Sequence, residues 1–322
     1  MDSRRTRRRH GAEPPRRRRA LVRTAAACAV LVGAAAAGTV YVRAQAHTGA
    51  DLVSSSRTSR SSDASKSTRS EASVERVAAP APDTDGLLAD AMAAVAPEDG
   101  AAVSVAVLDP SSGDGAVYGD GAFDTASIVK VDILAALLLQ AQDAGRGPTA
   151  QERAYATAMI ENSDNASASA LWAVIGRAAG LDAANERFGL TATEGGEGGL
   201  WGLTQTTAAD QLVLLRQVFG ADGDSELSET SRTYLQGLME SVVEDQAWGV
   251  SAAGSGWALK NGWLARSTTG LWDVNSIGRV TADGREYLVA VLSDGNSTKE
   301  QGVALVEAAA RAAVSALGGA GS

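Results

Sequence analysis

Between about Gly86 and Ser322 the chain puts its strand signals at the two ends and its helical signals in the middle, an order that few architectures satisfy. Ala101–Asp109 reads as a strand closed by the turn Pro110-Ser111-Ser112-Gly113, and Ala116–Gly119 returns as its hairpin partner. Trp257–Leu264, Leu271–Val280 and Glu286–Ser293 read as three more strands, joined by turns such as Ala282-Asp283-Gly284. Gly86–Ala96 and Lys299–Leu317 read as helices at the two ends. Ser127–Ala144, Thr149–Ile160, Ala166–Ala178, Ala208–Phe219 and Glu229–Glu240 read as helices between the strand groups. The predicted fold is therefore α+β: an antiparallel sheet built from both ends of the domain, covered by the terminal helices, with a helical subdomain inserted.

At 322 residues, 45% hydrophobic and 21% charged, the composition is that of an ordinary globular protein of one large or two small units. The net charge of −9 is unevenly spread, because residues 1–43 carry eleven Arg against Asp2 and Glu13. The acidic remainder repels phosphate backbones, which argues against a nucleic-acid partner. The only His are His10 and His47 and the only Cys is Cys28. The region beyond residue 47 thus has no means to build a Ser-His-Asp triad, a Cys nucleophile, a His/Cys zinc site or an intrachain disulfide. Catalysis there would fall to Ser, Lys, Asp, Glu, Tyr or backbone groups, with no metal and no cofactor expected.

Residues 1–23 form a basic tail, expected in the cytoplasm, with nine Arg between positions 4 and 19. Thr24–Val42 is uncharged and long enough to cross a bilayer, and the preceding positive charge places everything after Arg43 outside. Two readings stay open. The span at 24–42 is a single-pass membrane anchor, or it is an export signal cleaved after Ala46 in Ala44-Gln45-Ala46, which would make the protein secreted. Residues 43–85 are assigned to a disordered linker: positions 44–85 hold ten Ser, mixed charges and no apolar periodicity, and would span roughly 35 to 40 Å as a flexible coil. Residues 86–322 are assigned to the folded domain, expected to be monomeric.

Three motifs in that domain carry chemistry. Ser127 and Lys130 stand at i and i+3, one turn apart, where Asp124 or Thr125 can cap the helix and the run VDILAALLLQ is apolar on nearly every face. Burial favours the neutral amine of Lys130, which would then activate the Ser127 hydroxyl without histidine. A lone Ser-x-x-Lys is a weak pattern, yet the chain has only four Lys against 25 Arg, so a Lys inside an apolar helix calls for a reason. Ser163-Asp164-Asn165 is the second motif, and equally the composition of an ordinary helix N-cap. Lys260-Asn261-Gly262, on a strand, is the third. Its Gly permits close approach, and its Lys also suits a protected strand edge.

Taken in order, Ser-x-x-Lys, Ser-Asp-Asn and Lys-x-Gly resemble the signature of the penicillin-recognising serine enzymes, and Ser-Asp-Asn points to the class A serine β-lactamases and related serine hydrolases. The resemblance covers about residues 86–317. Thr206-Thr207-Ala208-Ala209-Asp210 is also similar to the start of a class A helix. The resemblance implies a β-lactamase/transpeptidase-like fold with Ser127 as the acylated nucleophile, Lys130 as its base, Ser163 as a proton relay and Lys260 as the positive charge over the site. It further implies that Asn165 and the strand Asn261-Gly262-Trp263 contact substrate, with the backbone N–H groups of Ser127 and Trp263 forming the oxyanion hole.

Three features depart from that family. Asn261 stands where the family has Thr or Ser, although its amide N–H can substitute; only 35 residues separate Ser127 from Ser163, implying a reduced helical domain; and the loop Leu190–Trp201 lacks the Glu-x-x-x-Asn that activates the deacylating water. Glu194 and Glu197 are the nearby candidates for that base, against the plainer reading of solvated loop charges. The expected function is an extracytoplasmic serine hydrolase acting on β-lactams or related cell-wall peptide amides, with slow deacylation. The alternative is a catalytically silent module of the same fold that binds peptidoglycan peptide or a partner protein.

Overall fold

The computed structural model describes residues 83–320. Helix α1 (Thr84–Met92) leads into the hairpin β1 (Ala102–Leu108) and β2 (Gly115–Tyr118), then the two-residue strand β3 (Phe123–Asp124). Helices α2 (Val129–Asp143), α3 (Ala150–Glu161), α4 (Asn165–Ile175) and α5 (Arg177–Phe188) follow. After strand β4 (Gln205–Thr206) come α6 (Ala208–Phe219) and α7 (Glu229–Glu240). The long strands β5 (Ser255–Ala265), β6 (Trp272–Ala282) and β7 (Arg285–Asn296) precede α8 (Lys299–Ala320).

The main sheet has the order β2-β1-β7-β6-β5, antiparallel throughout, so β1 from one end of the domain lies against β7 from the other. That is the α+β arrangement expected from the order of signals. Side chains alternate across the sheet as the period of two requires. Ala106, Leu288, Ala290 and Leu292 enter the core shared with the central helices, whereas Val105, Val107, Val289 and Val291 enter a second core under α1 and α8.

Local chemistry sets the helix ends. Thr149 and Glu152 form a reciprocal capping box on α3, and Asp164, Thr207 and Ser228 each accept a backbone N–H at the start of α4, α6 and α7. Helix α2 is buried from Val129 through Leu139, Lys130 and Asp132 included, so it is the axle around which α3, α4, α5 and α7 pack. One expectation fails here. The helix starts at Val129 after a 3-10 turn over Ala126–Ile128, and neither Asp124 nor Thr125 caps it: Asp124 gives its carboxylate to Arg266 and Gln205 instead.

Two further elements were not expected from the sequence. Helix α5 contains Gly180, an unfavourable helix residue, but a Cβ there would meet the Ile175 carbonyl oxygen at 1.7 Å, so close packing demands glycine. Strands β3 and β4 pair over only two residues, too short to leave a periodic signal. Among the described residues one helix, 299–319, is long and apolar enough to cross a membrane. Val306, Ala309, Ala310 and Ala313 on that helix are buried in the second core, which accounts for its composition. The expected basic tail, span and most of the linker lie outside the described residues.

Candidate active site

Ser127 sits in the 3-10 turn that feeds α2, half-buried, between two strands that fix its backbone. On one side Thr125 N–H donates to the Thr204 carbonyl at 2.9 Å, extending the β3–β4 pairing. From β6, the buried Asn275 donates its amide to the carbonyls of Asp124 and Thr125 at 2.9 and 3.1 Å, while its own oxygen accepts from Ser293 N–H at 3.0 Å. On the other side β5 passes so close that a Cβ on Gly262 would lie 2.7 Å from Ser127 N and 2.9 Å from Ile128 N. Only glycine tolerates that approach. Ala126 has φ of +48°, a left-handed conformation costing a non-glycine residue about 1 to 2 kcal/mol, and it immediately precedes the nucleophile candidate.

Lys130 is fully buried, and its three N–H donors are all engaged: the Ser163 carbonyl at 2.7 Å, the Ser163 hydroxyl at 2.9 Å and Asn165 Oδ1 at 2.8 Å. Among the described residues no hydrogen bond joins Lys130 to Ser127. Lys260, also fully buried, donates to the same Ser163 hydroxyl at 3.1 Å and to the Asn261 carbonyl at 3.0 Å. The Ser163 hydroxyl therefore lies between two lysine amines. Desolvation lowers both amines to about 7; the nearby Asp164 carboxylate partly opposes this at Lys130, and the Lys130 charge adds to it at Lys260.

The Ser-Asp-Asn motif forms the helix N-cap that its composition allows, and its outer two residues contact Lys130. Asp164 caps α4 by accepting Ser167 N–H at 2.7 Å, while Ser163, at φ of +56°, and Asn165 on either side of it receive Lys130. Asn261 is placed differently from a substrate contact. Its amide donates to the backbone carbonyls of Gln246 and Trp248 at 2.7 and 2.9 Å, so both N–H groups are already used, and its buried oxygen has no partner. β5 is the outer strand of the sheet, which leaves one edge of its backbone, including the neighbourhood of Trp263, unpaired by another strand.

A cleft of about 370 Å³ opens over Ser127, lined also by Ala126, Asn165, Gly199, Leu200, Trp201, Gly202, Leu203, Trp263 and Leu264. No carboxylate is among these residues. Glu194 and Glu197 are both exposed and away from the lining: Glu194 exchanges two backbone hydrogen bonds with Gln205, and the Glu197 carbonyl accepts from Leu200 N–H. Instead Trp201 reaches the site, its ring centroid 5.0 Å from Lys130 Nζ. The sequence drew no notice to Trp201 or Asn275. A Trp at a Gly-rich tip and an Asn inside an apolar strand are the signals that were available.

Behind the cleft a buried polar chain braces the loop. Thr193 hydrogen-bonds Thr206 at 2.8 Å and Asp210 at 2.7 Å, and Gln211 bridges Thr206 at 3.0 Å to Asp132 at 3.4 Å. Burial pushes the Asp132 carboxyl up to about 7, and its second oxygen has no partner. Among the described residues no group of three or more His, Cys, Asp or Glu is placed to hold a metal.

Comparison with known proteins agrees with the fold. Structures similar to the chain include a PBP-A mutant, solved as an acyl-enzyme complex with penicillin G, at TM-score 0.61 and 22% identity, covering 73% of this chain and 97% of that one. A β-lactamase from Chitinophaga pinensis is similar at TM-score 0.60 and 17% identity, covering 75% and 100%. The extended-spectrum β-lactamase TLA-1 is similar at 0.63 and 16%, covering 73% and 99%. These likenesses show a β-lactamase-like fold. No curated protein matches the chain in sequence. A family model described as the beta-lactamase enzyme family matches residues 146–317. That match spans more than half of the sequence and includes two of the three motifs, so the chain belongs to the beta-lactamase enzyme family.

Proposed function

We propose that the chain is an extracytoplasmic serine hydrolase in which Ser127 is acylated by β-lactams or by related amides of cell-wall peptides, and in which the acyl-enzyme is released slowly. The observation that carries this reading is the Ser163 hydroxyl held by two buried lysine amines, next in sequence but one to Asn165, which lines the same cleft as Ser127. A neutral lysine has two N–H groups and one lone pair, so Lys130 gives up one of its three acceptors and turns the lone pair on Ser127 O–H. Ser127 Oγ then attacks the amide carbonyl carbon and its proton passes to Lys130. The backbone N–H groups of Ser127 and Trp263 receive the oxyanion. Ser163 donates a proton to the leaving nitrogen and is reprotonated from the lysines, the C–N bond breaks, and an ester remains on Ser127.

Hydrolysis of that ester needs a base to activate water, a contribution of about 10² to 10⁴ in rate. The cleft lining offers no carboxylate for it. A chromogenic β-lactam should therefore give a burst near one equivalent followed by slow turnover. Rapid linear turnover without a burst would contradict slow release, and its loss in Glu194→Gln or Glu197→Gln would identify the base.

The silent binding module remains the second reading, favoured by one observation: both N–H groups of the Asn261 amide are spent on backbone carbonyls, which leaves no side-chain donor there for a substrate carboxylate. Failure of a fluorescent penicillin to label the protein would support it. The Arg-rich tail before the 24–42 span supports a domain outside the cytoplasm, membrane-anchored or secreted after cleavage at Ala46. Protease added to intact cells should reach it.

A further inference from the structure

We propose that Trp201 shields the Ser127 ester from water and is the positioning residue that sets the lifetime of the acyl-enzyme; this rests on the acyl-enzyme reading above. Residues 194–205 form a flap closed at its base by the paired backbones of Glu194 and Gln205. Inside the flap Gly196 N–H donates to Thr204 Oγ1 at 3.1 Å, and Trp172 Nε1–H donates to the Gly198 carbonyl at 2.9 Å. A Cβ on Gly196 would meet the Leu200 carbonyl at 2.2 Å, so the flap is folded tightly on itself. It presents Leu200, Trp201 and Leu203 to the cleft over Ser127.

The indole is tethered as well as placed. Its Nε1–H donates to Ser169 Oγ on α4 at 3.1 Å, while its face lies 5.0 Å from Lys130 Nζ. A water poised to attack needs two to four polar partners, and an indole face supplies none of them. The relay returns Lys130 to the free amine once its proton has reached the leaving nitrogen, and the same face favours its reprotonation from solvent, because an indole face attracts the ammonium form. Trp201 thus excludes water from the ester and withholds the amine as a second base. A polar loop would do neither.

The test uses the full chain acylated with a fluorescent penicillin, freed of excess reagent and followed by intact-protein mass spectrometry. Trp201→Ala should shorten the adduct lifetime by about tenfold, and Trp201→Phe, which keeps an aromatic face, should stay within about threefold of the wild type. Equal lifetimes for Trp201→Ala and wild type, or a Trp201→Phe adduct as short-lived as that of Trp201→Ala, would overturn the shield. A variant-free measurement guards against misfolding. Hydroxylamine, a nucleophile that needs no general base, should release the adduct of the native wild type at least about tenfold more slowly than that of the urea-unfolded protein; equal rates would also overturn it. Absence of any wild-type adduct is instead the failure of the acyl-enzyme reading itself.

Discussion

Lys130 donates to both the carbonyl and the hydroxyl of Ser163, at 2.7 and 2.9 Å, so two motifs 33 residues apart are joined through one amine. With Asn165 as the third acceptor, the ammonium form of Lys130 has no donor left for Ser127. In the proposed mechanism this arrangement is the resting state, with the amine parked on Ser163, and acylation would begin when it lets go.

Acylation should consequently follow the deprotonation of Lys130. Burial lowers that amine to about 7, so the acylation rate should rise as pH increases from 5 to 8 and level off above. Rates of penicillin labelling across that range check it, and a flat profile would remove Lys130 as the base.

The buried lysine on β5 is there at a cost to the fold. Lys260 is lowered to about 7, so it is charged in the unfolded chain up to about 10.5 but in the folded chain only up to about 7. Between those values stability should rise with pH, because the unfolded state binds more protons. Lys260→Met, measured at pH 6, should stabilise the domain by about 1 to 2 kcal/mol while abolishing labelling. Thermal unfolding with parallel labelling reads both effects.

Asp132 should show the opposite sign. Its carboxyl is raised to about 7 by burial, against an unfolded value near 3.8, so the folded state holds the extra proton and stability falls as pH rises through that window. Asp132→Asn, close in shape to the protonated acid, should therefore gain more stability over wild type at pH 8 than at pH 4. Denaturant melts at the two pH values decide it.

The clearest mechanical contact is at Gly262, where any Cβ meets backbone atoms of the nucleophile turn below 3.0 Å. Backbone cannot swing aside as a side chain does. Gly262→Ala should cost about 1 to 3 kcal/mol and slow labelling by about 10²-fold through misplacement of Ser127. An Ala variant that labels at the wild-type rate would show that β5 does not set the position of Ser127.

What the sequence discloses and what it withholds divide along physical lines. The boundaries of α6 and α7 are legible because each begins after a side-chain cap, and the antiparallel sheet built from both ends of the domain is legible because the strand signals stand at those ends, although the strand order β2-β1-β7-β6-β5 is not. The meeting of Lys130, Ser163 and Lys260 is legible because their motifs stand in the order that resembles the penicillin-recognising serine enzymes, and because lysines inside apolar segments of so Arg-rich a chain are conspicuous. Trp201 and Asn275 are not, since their contacts with Lys130 and with Asp124 and Thr125 join segments 71 and 150 or more residues apart. The role of Asn261 is hidden for a similar reason: nothing local says that the carbonyls of Gln246 and Trp248 will claim its amide.

The most direct test is peptide mapping of the protein after incubation with penicillin, run on the wild type, Ser127→Ala and Lys130→Ala. The expected result is one adduct per chain, on the peptide carrying Ser127, and none on either variant. An adduct that survives Ser127→Ala would contradict the assignment of Ser127 as the nucleophile.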